Sequence, residues 1–92
     1  MESEFLFINE QLAVNETVQE VLYMMQAIRN GWIYEERKKS QPNAADIATW
    51  QAEIAVFADE EFNLSNPARR ADIQQRALNV YAPIIKARMQ AK

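Results

Sequence analysis

The sequence predicts an all-α fold, a compact bundle of three main helices with a short fourth, and two observations carry this prediction. The chain of 92 residues holds one glycine, Gly31, and three prolines, Pro42, Pro67 and Pro83. A fold of several strands normally needs more turn residues than these. Alanine, glutamate, glutamine, arginine, leucine and methionine, which are all good helix formers, fill the segments between these four residues.

The first main helix is predicted over residues 12–30. Its apolar residues repeat at intervals of three and four, as one face of a helix requires: Val14, Val18, Val21, Leu22, Met25 and Ile28. Asn30-Gly31 is a typical helix end, because glycine adopts the left-handed conformation easily. The helix formers that follow predict the short fourth helix over residues 32–39. The alternative at this point is a two-residue hairpin turn at Asn30-Gly31.

Two further main helices are predicted over residues 44–62 and 67–90. The first carries an apolar stripe at helical spacing: Ile47, Trp50, Ile54 and Phe57. The second starts at Asn66-Pro67, since asparagine caps helices and proline fits the first helical position. Pro83 lacks an N–H and its ring clashes with the carbonyl of Asn79, so the last helix is expected to kink or break near Pro83. Apolar residues cover about half of the circumference of this helix, which predicts either two neighbouring helices or a dimer partner and favours a homodimer.

A chain of this length predicts one domain over residues 1–92. Residues 1–11 are expected to form a separate leading arm or short helix, because the apolar cluster Phe5–Ile8 is out of phase with the stripe that begins at Val14. This arm either covers the core or anchors a partner, and the sequence leaves both roles open.

The composition excludes most kinds of catalytic site. The chain has no histidine and no cysteine, so the usual general base, thiol nucleophile and metal ligands are missing. One glycine cannot build a phosphate-binding loop. Glu35-Glu36 and Glu60-Glu61 lack the further acids of a helical magnesium site. We therefore predict no enzymatic activity, no cofactor and no metal.

The charge of the chain is divided between its two ends. Residues 1–65 hold twelve acids and four bases, whereas residues 66–92 hold one acid and six bases. This division predicts either a basic nucleic-acid-binding arm or helices that attract each other within the fold. The N-terminus resembles no secretory signal and no apolar run approaches 18 residues, which predicts a cytoplasmic protein without a membrane span.

The remaining candidate site is a surface that binds another protein. Three aromatic residues, Tyr23, Trp32 and Tyr34, are expected to be exposed anchors. The seven-residue spacing of Asp46, Glu53 and Glu60 predicts an acidic rail along one side of the helix over 44–62. A small acidic chain of this kind suits an inhibitor, antitoxin or immunity-like protein, or a phage accessory regulator. We expect it to dock on a larger protein partner and occlude the partner's site.

The alternative is a dimeric DNA-binding module that uses the basic C-terminal helix. Its bases are Arg69, Arg70, Arg76, Lys86, Arg88 and Lys92. A helix that inserts into the major groove presents its bases on one face. Helical spacing spreads these six bases around the helix, and the net charge of the chain is −3. Nucleic-acid binding is therefore ranked second.

Overall fold

The computed structural model describes the backbone of residues 2–90 and the side chains of residues 14–90, and its regular elements are all helical. Four α-helices are present in this part of the chain: α1 (Glu2–Arg37), α2 (Ala44–Phe62), α3 (Pro67–Arg76) and α4 (Ala82–Gln90). A 3-10 turn, Asn63–Ser65, leads into α3, and a π-helical turn, Ala77–Tyr81, joins α3 directly to α4. The predicted all-α fold class is confirmed, and α3, the π turn and α4 together form one rod, the α3–α4 rod.

α2 runs antiparallel to α1 and is fixed to it at both ends. At one end the Glu36 carboxylate, which is buried, accepts hydrogen bonds from the Lys39 ammonium group (2.9 Å) and the backbone N–H of Asn43 (3.0 Å). These two donors, Lys39 above all, lower the pKa of Glu36 below its ordinary value of 4.5. At the other end the Gln26 amide donates to Glu61 at 3.0 Å. The Glu36 carboxylate of α1 therefore fixes the loop that connects the two helices.

The α3–α4 rod runs parallel to α1. Near its start the Gln74 amide donates to Asn15 of α1 at 2.6 Å. Near its end the guanidinium of Arg88 lies over the Trp32 ring of α1, 5.8 Å from the ring centroid. α1 is therefore the helix on which both α2 and the α3–α4 rod pack.

The core contains most of the apolar stripe predicted for the first helix, whereas Phe57 is the one member of the stripe predicted over residues 44–62 that is buried. The buried residues of the core come from every helix of the bundle: Val18, Val21, Leu22, Met25, Phe57, Leu64, Ile73, Ala77 and Ile85. Full burial of one large aliphatic side chain contributes about 1.5–3 kcal/mol, so this cluster is the main source of the stability of the fold.

Three predictions about the first helix are wrong. α1 does not end near residue 30, residues 32–39 do not form a separate helix, and no hairpin turn interrupts the chain there. Gly31 has no positive φ and lies within α1. A glycine inside a helix costs about 1 kcal/mol relative to alanine. The burial of Ile33 two residues later outweighs that cost, because one buried isoleucine contributes about 1.5–3 kcal/mol.

The backbone of the predicted leading arm is helical and belongs to α1. Residues 2–11 continue α1 without a break, so they are not a separate segment. The side chains of Phe5–Ile8 lie outside the described residues, and the two roles considered for them stay predictions.

The boundaries of the other main helices agree with their capping residues. α2 begins at Ala44 as predicted, and the side chain of Asn43 accepts a hydrogen bond from the backbone N–H of Asp46 at 3.1 Å. The side chain of Asn66 accepts from the N–H of Ala68 at 3.0 Å, and Pro67 occupies the first position of α3. Each of these caps satisfies an N–H group that has no partner inside its helix.

The predicted interruption near Pro83 is confirmed by the π-helical turn. The N–H of Ala82 bonds to the carbonyl of Ala77, five residues earlier, so this turn contains one residue more than an α-helical turn. The widened turn stands directly before Pro83, which cannot donate to the carbonyl of Asn79. The rod therefore continues past a proline that a regular α-helix would accommodate badly.

We expect Gly31→Ala to raise the free energy of unfolding by about 0.5–1 kcal/mol, because alanine loses less backbone entropy in a helix. A Cβ atom at this position would meet nothing within 4 Å. Urea unfolding followed by circular dichroism measures the change. The reverse substitution Ala27→Gly, on an exposed position of the same helix, is the control and should lower stability by a similar amount. An unchanged or less stable Gly31→Ala variant would contradict this account.

Candidate functional site

The structure divides the six predicted site residues into exposed and inward-facing groups. Tyr23, Tyr34 and Asp46 are exposed. Trp32 and Glu53 are half-buried between α1 and α2, and Glu60 is only 2% exposed. The residues predicted to form one binding surface therefore lie in different environments.

One face of α1 is exposed along its described length, and we call it the tyrosine face. Its residues follow each other at intervals of four and three: Glu16, Glu20, Tyr23, Ala27, Asn30 and Tyr34. This spacing keeps them on one side of a helix. The ammonium group of Lys38 lies over the Tyr34 ring, 4.2 Å from its centroid. The tyrosine face combines two acids at one end with two aromatic rings.

The predicted acidic rail is not an exposed surface. Asp46 is exposed at the start of α2, but the Glu53 carboxylate forms an ion pair with Arg29 of α1 at 3.0 Å, and Glu60 points into the bundle. The seven-residue spacing does place the three acids on one side of α2. That side borders the apolar stripe of Trp50 and Phe57 and therefore faces the neighbouring helices.

Glu60 links α2 to the α3–α4 rod. Its Oε2 atom accepts hydrogen bonds from Nε (3.2 Å) and Nη2 (3.0 Å) of Arg76, and its Oε1 atom accepts from the Tyr81 hydroxyl at 2.9 Å. Arg76 also donates from Nη1 to Asp72 at 2.8 Å. The Tyr81 ring meets Phe57 edge to face, with centroids 5.1 Å apart. Both oxygens of a buried carboxylate are thus hydrogen-bonded.

This cluster shifts the titration of both partners of Glu60. The hydrogen bond to the Glu60 carboxylate raises the pKa of Arg76 above its ordinary value. Burial raises the pKa of the Tyr81 hydroxyl, and its hydrogen bond to Glu60 acts in the same direction, because a phenolate beside a carboxylate is repelled. Arg76 stays charged and Tyr81 stays protonated at neutral pH, as structural hydrogen-bond donors must.

Trp32 is part of an aromatic contact between α1 and α2. Its ring lies 5.6 Å from the Trp50 ring, with an angle of 56° between the planes. The guanidinium of Arg29 lies over both Trp32 (5.1 Å) and Phe57 (4.8 Å). These rings and the Arg29–Glu53 ion pair join the two helices. Trp32 is therefore mainly a packing residue between α1 and α2 and is not a free binding surface.

Most of the basic residues of the α3–α4 rod are engaged within the fold. Arg69 pairs with Asp59 at 3.1 Å, and the Nε atom of Arg70 donates to the carbonyl of Leu64 at 2.8 Å. Arg76 binds Glu60, and Arg88 lies over Trp32, as described above. The division of charge between the two ends of the sequence predicted either a nucleic-acid-binding arm or helices that attract each other. These contacts agree with attraction between helices.

Neither a metal site nor a membrane span is found in the part of the chain that the structure describes. Within residues 14–90, no three acidic side chains come together in a way that could hold a metal ion. No helix among the described residues has an apolar stretch of the length that a bilayer crossing needs.

Glu60→Ala should lower the free energy of unfolding by about 2 kcal/mol, because it leaves Arg76 and Tyr81 without their shared acceptor. The loss of stability is smaller than for a fully buried ion pair, since the Arg76 side chain is 39% exposed and water can solvate it in the variant. Asp72→Ala removes an exposed partner of the same guanidinium and should change stability by less than about 0.5 kcal/mol. Chemical unfolding of the two variants compares them. Equal effects would show that burial of Glu60 adds nothing.

Tyr81 should ionise above its ordinary pKa of 10.0 in the folded protein. The unfolded chain then loses its Tyr81 proton first, so this group stabilises the fold fully below about pH 10 and progressively less as the pH rises further. Ultraviolet absorbance of the phenolate measures the titration of the three tyrosines. Tyr81→Phe should remove a transition above the ordinary range, and loss of a transition at or below pH 10.0 would contradict the assignment.

Comparison with known proteins finds no family model, no curated protein and no solved structure that matches this chain. What the protein can bind therefore has to be inferred from its own exposed side chains.

Proposed function

We propose that this protein is a non-enzymatic interaction module that docks on a larger protein partner and covers the partner's functional site. The observation that carries the proposal is the tyrosine face of α1. Two tyrosines, 66% exposed at Tyr23 and 62% exposed at Tyr34, stand on one side of one helix. Large exposed rings held on a rigid helix are the kind of side chain that dominates protein interfaces.

The spacing of the two rings suits a single binding site. Tyr23 and Tyr34 are eleven residues apart, which is about 16 Å along a helix. Tyrosine gains a large contact area while losing little side-chain entropy, because it has few rotatable bonds. Both rings can therefore act as anchors in one interface of ordinary size.

The charge of the tyrosine face favours a basic partner surface. Glu16 and Glu20 are exposed at its N-terminal end, and Asp46 is exposed at the start of α2. Acidic side chains steer a protein towards a basic surface and fix its orientation there. A nucleic-acid-binding groove is such a surface, and an acidic module seated on it would act as an inhibitor, antitoxin, immunity-like protein or phage accessory regulator.

The inward-facing members of the predicted site have a supporting role in this proposal. Trp32 and Glu53 hold α1 against α2, and Glu60 holds α2 against the α3–α4 rod. They keep the helix that carries Tyr23 and Tyr34 in place, which lowers the entropy lost on binding.

The proposal includes a homodimer that acts in the cytoplasm. Several large apolar side chains of the α3–α4 rod are between 41% and 64% exposed in a single chain: Leu78, Val80, Ile84 and Met89. An apolar surface of this kind is typical of an interface. The cytoplasm suits a chain without cysteines, which has no disulfide to form.

A Tyr23→Ala/Tyr34→Ala double variant should bind the partner at least tenfold more weakly, because each ring is expected to act as a hot spot worth about 2 kcal/mol or more. The partner is first captured from the native host with the unmodified chain and identified by mass spectrometry. Calorimetry with the purified partner then gives the affinities, and an assay of the partner's own activity shows whether its site is covered.

Phe62→Ser is the matched control, because Phe62 is an apolar residue of α2 that is 81% exposed and lies outside the tyrosine face. It should leave the affinity unchanged. Both variants should keep the circular dichroism spectrum of the unmodified protein. Equal affinity of the double variant and the unmodified chain would refute the proposed surface, and a shift of mixed DNA by the chain alone at low salt would favour the DNA-binding alternative.

A further inference from the structure

α1 and α2 leave a pocket between them near the end of α1, and we call it the tryptophan pocket. It has a volume of about 340 Å³, which lies in the range of ligand-binding pockets. Its lining consists of two indole rings and three charged side chains: Trp32, Trp50, Glu35, Glu36 and Lys39. The tryptophan pocket therefore combines aromatic surface with ionised groups.

The Trp50 ring is the aromatic surface that this pocket offers to a ligand. The guanidinium groups of Arg29 and Arg88 already lie over the Trp32 ring, 5.1 Å and 5.8 Å from its centroid. Among residues 14–90, no cation lies over the Trp50 ring, which is half-buried. The face of an indole ring attracts cations more strongly than the face of a phenyl ring does. A cation from outside the fold can therefore bind over Trp50.

The one base that lines the tryptophan pocket is held by acids of the fold. The Lys39 ammonium group binds the Glu36 carboxylate at 2.9 Å. This hydrogen bond raises the pKa of Lys39 above its ordinary value, and the charge of Asp46 acts in the same direction. The Asp46 carboxylate is therefore close enough to act on charges at the pocket, and the charge of Lys39 is balanced within the fold.

Glu35 and Asp46 are the acids of this region that a ligand can reach. The Glu35 side chain is 71% exposed and pairs at 3.3 Å with Lys38, which is 53% exposed. Such an exposed pair contributes little, so a cation with better geometry can take the place of Lys38. Asp46 is exposed on α2, one helical turn before Trp50. Acidic groups thus stand beside an indole ring at the surface.

The fold itself shows which cation suits this combination. About one turn earlier on α1, the guanidinium of Arg29 lies over the Trp32 ring while its Nε atom binds the Glu53 carboxylate at 3.0 Å. A guanidinium group is planar and weakly hydrated, so it can stack on a ring and bind a carboxylate at the same time. The tryptophan pocket offers the same two partners, an indole ring and a carboxylate.

We infer that the tryptophan pocket receives an arginine side chain of the larger partner, with the guanidinium over the Trp50 ring and its N–H groups on the Glu35 carboxylate. The charge of Asp46 adds to the attraction. This inference rests on the proposed function, in which the partner presents a basic surface. The pocket adjoins the tyrosine face, because the Lys38 ammonium group both lies over the Tyr34 ring and binds Glu35. One partner can therefore contact both.

Fluorescence titration of the full chain tests the inference, because both tryptophans of the chain line the pocket. The probe is acetyl-arginine methylamide, and its citrulline counterpart has the same shape without the charge. The arginine probe should change the tryptophan emission saturably, with a Kd on the order of millimolar for a single side chain. The citrulline probe should give no saturable change, and equal responses to the two probes would overturn the inference.

A pair of matched variants tests which acids bind the probe. Glu35→Gln/Asp46→Asn should raise the Kd of the arginine probe about fivefold or more, because the guanidinium loses its charged acceptors. Asp59→Asn/Asp72→Asn removes the same charge from two other exposed acids and should leave the Kd within about twofold. Circular dichroism checks that both variants are helical. Equal Kd values for the two variants would overturn the assignment.

Calorimetry with the larger partner separates this inference from the proposed function. Glu35→Gln/Asp46→Asn should bind the partner about tenfold more weakly, and Asp59→Asn/Asp72→Asn should bind as the unmodified chain does. An unchanged affinity of the first variant would leave the pocket to free small cations and overturn its role in docking. A loss of affinity in this variant but not in Tyr23→Ala/Tyr34→Ala would refute the tyrosine face and support the pocket.

Discussion

The buried carboxylate of Glu60 is the constraint on which the packing of α2 against the α3–α4 rod depends. An ionised carboxylate removed from water costs several kcal/mol unless its oxygens are hydrogen-bonded. Arg76 and Tyr81 supply these bonds from the α3–α4 rod, 3.0 Å and 2.9 Å away at their closest. Because an apolar core alone tolerates some sliding of helices, this polar contact fixes where the rod lies against α2. Other positions of the rod would leave the carboxylate without partners.

The same kind of pairing joins the acidic and the basic part of the sequence. Asp59 of α2 binds Arg69 of α3, and Glu60 binds Arg76. Part of the charge that divides the sequence is therefore used in ion pairs inside the fold. What stays exposed on α1 is the tyrosine face, with acids at one end, Tyr23 in the middle and Tyr34 at the other end.

The sequence predicted those features that local chemistry determines and missed those that depend on neighbouring helices. α2 and the start of α3 were placed correctly, because Asn43 and Asn66 satisfy the first N–H groups of their helices wherever those helices pack. The end of α1 was placed wrongly, because the local signal of Asn30-Gly31 is weaker than the burial of Ile33. The acidic rail failed for a related reason. Periodicity shows that Glu53 and Glu60 share a side of α2, but not that Arg29 and Arg76 face that side.

The length of α1 lets one helix contribute to the core and also expose a face to solvent. A helix of 36 residues is about 54 Å long, whereas α2, with 19 residues, is about 28 Å long. One side of α1 packs in the core, and the tyrosine face stays exposed on another side. Because an ordered helix loses less entropy when it binds, the packing of α1 against α2 and the α3–α4 rod favours the proposed docking through Tyr23 and Tyr34.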